Sequence, residues 1–296
     1  MTTETGITVS PRELRKSIRE GGLVRPTSGM APGFVQTNLA ILPEKVAFDF
    51  LLFCQRNPKP CPLIEVLEPG QVEARATAPK SDIRTDVSMY RVYESGELVD
   101  ELPDLSEIWR DDYVSFLLGC SFSFESALLN NGIKLPHFEQ GTNVSMYVTN
   151  IPTIPAGEFS GPMVVSMRAI PQEKVVRAVQ VTSRFPSVHG SPVHVGDPEA
   201  IGIKDVSKPD FGDPTKFNPG DVPVFWACGV TPQSVAMSSK PSIMVTHSPG
   251  HMFITDMRDE DYSIIWQGAM NTIEDIILDH DKRGISELRN LVPQDF

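Results

Sequence analysis

Several short, glycine- or proline-bounded stretches of this 296-residue chain bring together side chains that could do chemistry. In GCSFSFE, Gly119 to Glu125, a glycine and small polar residues near a helix start offer backbone N–H groups to an anion. Ser121 and Ser123 add hydroxyls, and Glu125 supplies an acid or base. The same residues also fit plain capping, with Ser121 as N-cap and Glu125 answering from the first turn. In WACGVTPQ, Trp226 to Gln233, an apolar strand hands over to a helix at a glycine, the place where open α/β sheets bind ligands. Thr231 and Gln233 are its polar side chains. Cys228 is expected as a buried structural thiol and not a nucleophile.

Four of the six histidines fall in two loops, His189 and His194 in RFPSVHGSPVHVGD, and His247 and His251 in THSPGHMFITD. Such loops suit proton transfer, for which His189 and His247 are the candidates. Ser248-Pro249-Gly250 keeps His247 and His251 off a shared helical face, so the HExxH logic fails and no metal is expected. Arg84, Arg168 and Arg184 are candidate carboxylate binders. Arg168 lies in the apolar strand VVSMRAI, where a buried guanidinium needs a carboxylate from the substrate or from the protein. With no GxxxxGK[ST], GxGxxG or GxSxG motif, neither a nucleotide cofactor nor an α/β-hydrolase triad is supported, and no cofactor is expected.

The elements that must position these residues follow from local pattern. Ser10, Pro11 and Glu13 open a helix that turns Leu14 and Ile18 inward and stops at Gly21-Gly22. PEKVAFDFLLFCQRNP is a second helix with Pro43 at its start. PLIEVLE and YRVYESGELVDE are strands, the latter a hairpin turning at Glu94 to Glu97. YVSFLLGCSFSFESALLNNGI switches into helix and ends at Asn131-Gly132. Met146–Val148, Met163–Ile170 and Val175–Thr182 are strand candidates, and 190–220 is an ordered wrapping loop. Thr231 is the expected N-cap of the helix after WACG. The non-alternating runs Val222–Ala227 and Ile243–Thr246 predict strands covered on both faces in a partly parallel sheet. An amphipathic helical tail is expected from about Asp261.

Acidic residues outnumber basic ones 38 to 26, and no basic run interleaves with aromatics, which argues against nucleic acid. No apolar stretch approaches the ~20 residues of a membrane span, and the polar start lacks a signal core, so a cytoplasmic protein is expected. The four cysteines are too irregularly spaced for a disulfide framework.

The blocks TSGMAPGFVQTNLAILP, DIRTDVSMYRVY, WRDDYVSFLLGCSFSFESALL, TNIPTIPAGEFSGPMVVSMR, VTSRFPSVHGSPVHVGDP, VPVFWACGVTPQ and THSPGHMFITD resemble the D-glutamate cyclase family, whose bacterial members carry a hydro-lyase label. The resemblance runs from about Pro11 to about Asp259. It implies a layered αβα domain with a smaller α/β domain inserted, here divided as 1–108 with 209–296 and 109–208. It also implies loss of water from a small amino- or hydroxy-dicarboxylate, with D-glutamate to 5-oxo-D-proline as the cyclase reaction. Such chemistry needs proton transfer, assigned to Glu125, His189 and His247. Oxyanion donors near Ser121 and Thr231, and arginines for carboxylates, complete it. Ser123, Asn150 and Gln233 are further substrate contacts. The alternative is a metabolite-binding protein without turnover. Its partner is then a small carboxylate, with homo-oligomerisation left open.

Overall fold

The computed structural model describes residues 9–264. The helix opened by Ser10 is α1 (Pro11–Arg19), with a full capping box between Ser10 and Glu13. Ile18 is buried, Leu14 packs at the edge, and Arg15 is the second buried long side chain, paired with Asp256. A ten-residue strand, β1 (Phe34–Pro43), follows, then α2 (Glu44–Arg56) and β2 (Leu63–Leu67). The hairpin is β3 (Tyr90–Glu94) and β4 (Glu97–Leu102), with Ser95 and Gly96 at the positive φ that its two-residue turn requires. Next come β5 (Tyr113–Gly119), α3 (Glu125–Asn130), α4 (Pro136–Gln140), β6 (Ser145–Pro152), β7 (Pro162–Pro171) and α5 (Val175–Thr182). The last elements are β8 (His194–Val195), β9 (Asp221–Ala227), α6 (Thr231–Ser239), β10 (Met244–His247) and β11 (Phe253–Arg258).

These strands form a seven-stranded sheet, ordered β2-β5-β1-β10-β3-β4 with β11 also on β1, and a four-stranded sheet, ordered β6-β7-β9-β8. The class is α/β, but every strand pair is antiparallel, which corrects the expectation of a partly parallel sheet. The large sheet is instead covered on both faces by other means. Along β1, Ala40 and Leu42 face α2 and α6, while Leu39 and Ile41 face the 72–92 segment through Ala74, Ala78, Ile83 and Val87. A wrapping loop region thus supplies the second apolar face that a crossover helix supplies in a parallel sheet.

Two further expectations need correction. Tyr113–Gly119 is a central strand, buried throughout, and helical structure begins only at the 3-10 turn Ser121–Phe124. Val175–Thr182 is a helix although half of it is valine. That geometry sends Ala178, Val181 and Thr182 to one face against Trp226 and Phe124, at the cost of leaving Val176 exposed. At α6, Thr231 is the first helical residue and Val230 the cap, one position from the expectation. The four cysteines are free and buried. The tail from 265 onward lies outside the described residues. Among those described, no helix is long and apolar enough to cross a membrane.

Between the sheets the chain makes a tight crossing. A Cβ at Gly119 would lie 2.0 Å from the Ser187 carbonyl oxygen, so the end of β5 passes the loop before His189 with no room for a side chain. Gly119→Ala must displace backbone, and we expect a loss of about 2 kcal/mol or more in urea unfolding. A loss under about 0.5 kcal/mol would show that the crossing gives way freely.

Candidate active site

Glu125 opens α3 at the point where the chain leaves the large sheet to cover the small one, and it is 2% exposed. Arg168, fully buried, comes from the face of β7 that also carries Ser166 and Ile170 toward α3 and α5. Its Nη2 donates to Glu125 Oε1 at 2.5 Å and to Ser121 Oγ at 3.0 Å, its Nε to Glu125 Oε1 at 3.1 Å, and its Nη1 to Ser166 Oγ at 3.0 Å. The guanidinium also lies 5.3 and 5.4 Å from the ring centroids of Phe124 and Trp226. The carboxylate that Arg168 requires is therefore internal. His137 Nε2 stands 3.1 Å from the same oxygen, outside hydrogen-bonding geometry. Burial alone would raise the Glu125 pKa, but Arg168 and His137 outweigh it and hold the carboxyl below its ordinary range. Oε2 is buried and has no hydrogen-bond partner among the described residues.

Glu125 lines a cavity of about 230 Å³ together with Gly29–Phe34, Phe122, Phe138 and Asp259. This is below the ~300–1,000 Å³ of drug-sized sites and suits a metabolite of amino-acid size. One wall is the loop that holds Gly29 and Gly33 and also Ala31 at φ 46°, a strained value for a side-chain-bearing residue. Gly29 sits so close to Phe138 that a Cβ would approach its ring to 2.9 Å. Gln36 on β1 fixes the loop, donating to the Thr27 and Met30 carbonyls while its Oε1 accepts from Thr27 Oγ1. Ser123 Oγ in turn accepts from the Gln36 N–H at 3.2 Å.

Against this loop sits Asp259, 6% exposed, its N–H donating to Gly33 O at 3.1 Å and its Oδ1 without a hydrogen-bond partner among the described residues. Burial, aided by neighbouring Glu260, pushes its pKa up to about 8. One cavity thus holds a charged carboxylate and, at neutral pH, a protonated carboxyl. Environments that drive two acids apart in this way distinguish a proton donor from an acceptor. A larger open groove along α1 offers no such groups. Its Arg15, Lys16 and Arg19 are matched by Asp256, Glu20 and Asp86.

The other residues singled out in the sequence lie elsewhere. His189, at φ 82°, is buried with Nδ1 2.8 Å from Lys59 O. His247 is buried with Nδ1 accepting from the Leu39 N–H at 3.1 Å. Burial lowers both to about 4, so both are neutral at pH 7. Their Nε2 atoms have no hydrogen-bond partner among the described residues, yet neither ring lines the cavity. Thr231 Oγ1 donates to Cys228 O, and Gln233 Nε2 to His247 O, tying α6 to its neighbours. Burial raises the Cys228 thiol to about 11. Arg84 is engaged twice by Asp82, Asn150 is exposed on β6, and Arg184 is half-buried with Nε unpartnered. Among the described residues no group of three or more His, Cys, Asp or Glu could hold a metal ion.

Sequence reasoning missed Asp259, His137 and Gln36. TSGMAPG, with two glycines flanking a proline, was the one available signal for the cavity wall.

Fold and site together are those of an α/β protein with a metabolite-sized cavity floored by two buried carboxyls. The profile of the D-glutamate cyclase family matches residues 114–256. A Bacillus licheniformis protein named "Putative hydro-lyase" is 61% identical over 255 residues, spanning 86% of this chain and 97% of its own length. Its Bacillus subtilis namesake YcsI is 57% identical over 257 residues, spanning 87% and 100%. The chain belongs to the D-glutamate cyclase family. Among solved structures, a nitrogen repressor-like protein from Methanococcus jannaschii aligns over 83% of this chain and 98% of its own, with a TM-score of 0.34 and 9% identity, too distant to carry an argument.

Removing Arg168 alone strands a buried charge. Arg168→Met should therefore cost about 3–5 kcal/mol, and Arg168→Met with Glu125→Leu should recover much of it. Equal losses in both variants would contradict the pairing. The two histidines set a pH dependence. Their folded pKa values lie below the unfolded 6.5, so the stability they contribute is complete above pH 6.5 and is lost as pH falls toward about 4. His247→Gln should flatten the urea-midpoint decline across that window, and an unchanged slope would contradict its burial as a neutral ring.

Proposed function

We propose that this protein is a hydro-lyase acting on a small amino- or hydroxy-dicarboxylate, with D-glutamate to 5-oxo-D-proline plus water as the reaction the site fits best, and that the cavity shared by Glu125 and Asp259 is where it acts. The observation that carries the reading is the pair of buried carboxyls, Glu125 and Asp259, lining one cavity, each with one oxygen that has no hydrogen-bond partner among the described residues. The names borne by the relatives support a lyase of this class.

In lactam formation the amine attacks the distal carboxyl carbon, a C–N bond forms and a C–O bond breaks. Of the ammonium's three protons one stays on the lactam nitrogen, and two leave with the carboxyl oxygen as water. The charged Glu125 accepts hydrogen bonds from the ammonium and orients it. Because Arg168 keeps Glu125 weakly basic, its role is to hold the amine and pass its proton onward, while the neutral Asp259 protonates the departing oxygen. Elimination of water from a hydroxy acid would use the same donor. His189 and His247, bonded to backbone away from this cavity, are assigned to holding the sheet ends.

The two-domain division remains part of the proposal. Since β5 pairs in the large sheet and β9 in the small one, the pairing favours edges near 120 and 230 over 109 and 208.

Purified, chelator-treated protein given D-glutamate or L-glutamate should form 5-oxoproline from the D form, followed by chiral chromatography. No product from either would remove glutamate as substrate. Glu125→Gln and Asp259→Asn, checked for folding, should each lower kcat/KM by about 100-fold or more, the lower range of general acid–base effects. Wild-type activity should decline as pH rises through about 8, where Asp259 loses its proton. Two fully active variants would displace the site.

A further inference from the structure

We propose that Arg258 is the carboxylate anchor of this cavity, holding a ligand's second carboxylate at the rim while Glu125 and Asp259 face its reacting end, an assignment that rests on the cavity being the active site. Arg258 ends β11 opposite Phe34 in the β1 register, and its guanidinium carbon lies 4.5 Å from the centroid of the Phe34 ring, which itself lines the cavity. Asp259 enters the cavity wall, and Arg258 lies over the aromatic ring at its edge. The hydrogen bond from the Asp259 N–H to Gly33 O holds this corner against the glycine-bounded loop, so the two side chains keep a fixed relation to the cavity.

Arg258 has no counter-ion of its own. Arg15 is matched to Asp256, Arg19 to Asp86 and Arg168 to Glu125, whereas exposed Arg258 forms no ion pair among the described residues and is held over a cavity-lining ring. In a chain of formal net charge −12, a cation that stacks on a cavity-lining ring and lacks a carboxylate is placed to receive one from outside. Stacking leaves the edge of the guanidinium plane, with its parallel N–H donors, open to a carboxylate in two-point contact. An amino-dicarboxylate then meets three complementary groups: Arg258 for the spectator carboxylate, Glu125 Oε2 for the ammonium, and Asp259 for the carboxyl that loses oxygen.

The test compares D-glutamate with 4-aminobutyrate, which lacks only the spectator carboxylate, on the full chain carrying Arg258→Ala or Arg258→Lys. Steady-state kinetics would be measured alongside calorimetric binding of both compounds and of glutarate. Arg258→Ala should raise KM for D-glutamate about tenfold or more, change kcat by less than about threefold, and leave 4-aminobutyrate binding unchanged. Such a drop matches the range for a hydrogen bond to a charged group. Arg258→Lys should recover part of the loss. Wild-type turnover of D-glutamate with an unchanged KM in Arg258→Ala would overturn the anchor and leave the active-site reading standing. An equal loss for both compounds would also overturn it, as a structural effect. Failure of the wild-type protein to bind or convert any of the three would overturn both.

Discussion

The ion pair between Glu125 and Arg168 is the constraint around which the rest of the molecule is arranged. Two charges removed from water are costly, and they are tolerated only where geometry and further hydrogen bonds satisfy what remains of each group. Here the guanidinium uses Ser121, Ser166 and Glu125 as acceptors and lies against the rings of Phe124 and Trp226. Ser121 and Phe124 come from the 3-10 turn, Glu125 from α3, Ser166 from β7 and Trp226 from β9, and their convergence ties the small sheet to the helical segment that leaves the large one. Trp226 is itself fixed by its indole N–H donating to Thr182 Oγ1 on α5.

Using only one oxygen of Glu125 in this way has a chemical consequence. Oε2 shares the charge of a carboxylate that lines the cavity and lacks a hydrogen-bond partner among the described residues. In the same cavity Asp259 meets the same burial with no ion-pair partner among the described residues and resolves it by keeping its proton. The two carboxyls differ because one has an arginine and the other does not. The loop that lines the cavity with them is held by Gln36, which connects the long central strand β1 to the cavity wall.

Much of this was legible in the sequence. Ser10-Pro11 with Glu13, the Ser95-Gly96 turn and the helix from Glu44 to Arg56 are local signals, and each forms as the residues dictate. Arg168 in an apolar strand announced a buried carboxylate partner, and Glu125 was already suspect from its block. Strand direction was not legible, because two-sided burial reads the same whether helices or a wrapping segment such as 72–88 provide the cover. The α5 helix was hidden by its valines, whose strand preference yields to packing on Trp226. Asp259 carried no local signal: DMRDEDY resembles any acidic surface turn, and its burial arises only when β11 pairs with β1 and its N–H reaches Gly33.

The opposed ionisation of the two carboxyls is most directly tested by following the side-chain carboxyl carbons of 13C-labelled protein through a pH titration, with Asp259→Asn and Glu125→Gln for assignment. The account predicts one aspartate resonance that titrates near 8 and vanishes in Asp259→Asn, and a Glu125 carboxyl that stays ionised below the ordinary glutamate range. An Asp259 carboxyl that titrates near 4, like a solvated one, would contradict it.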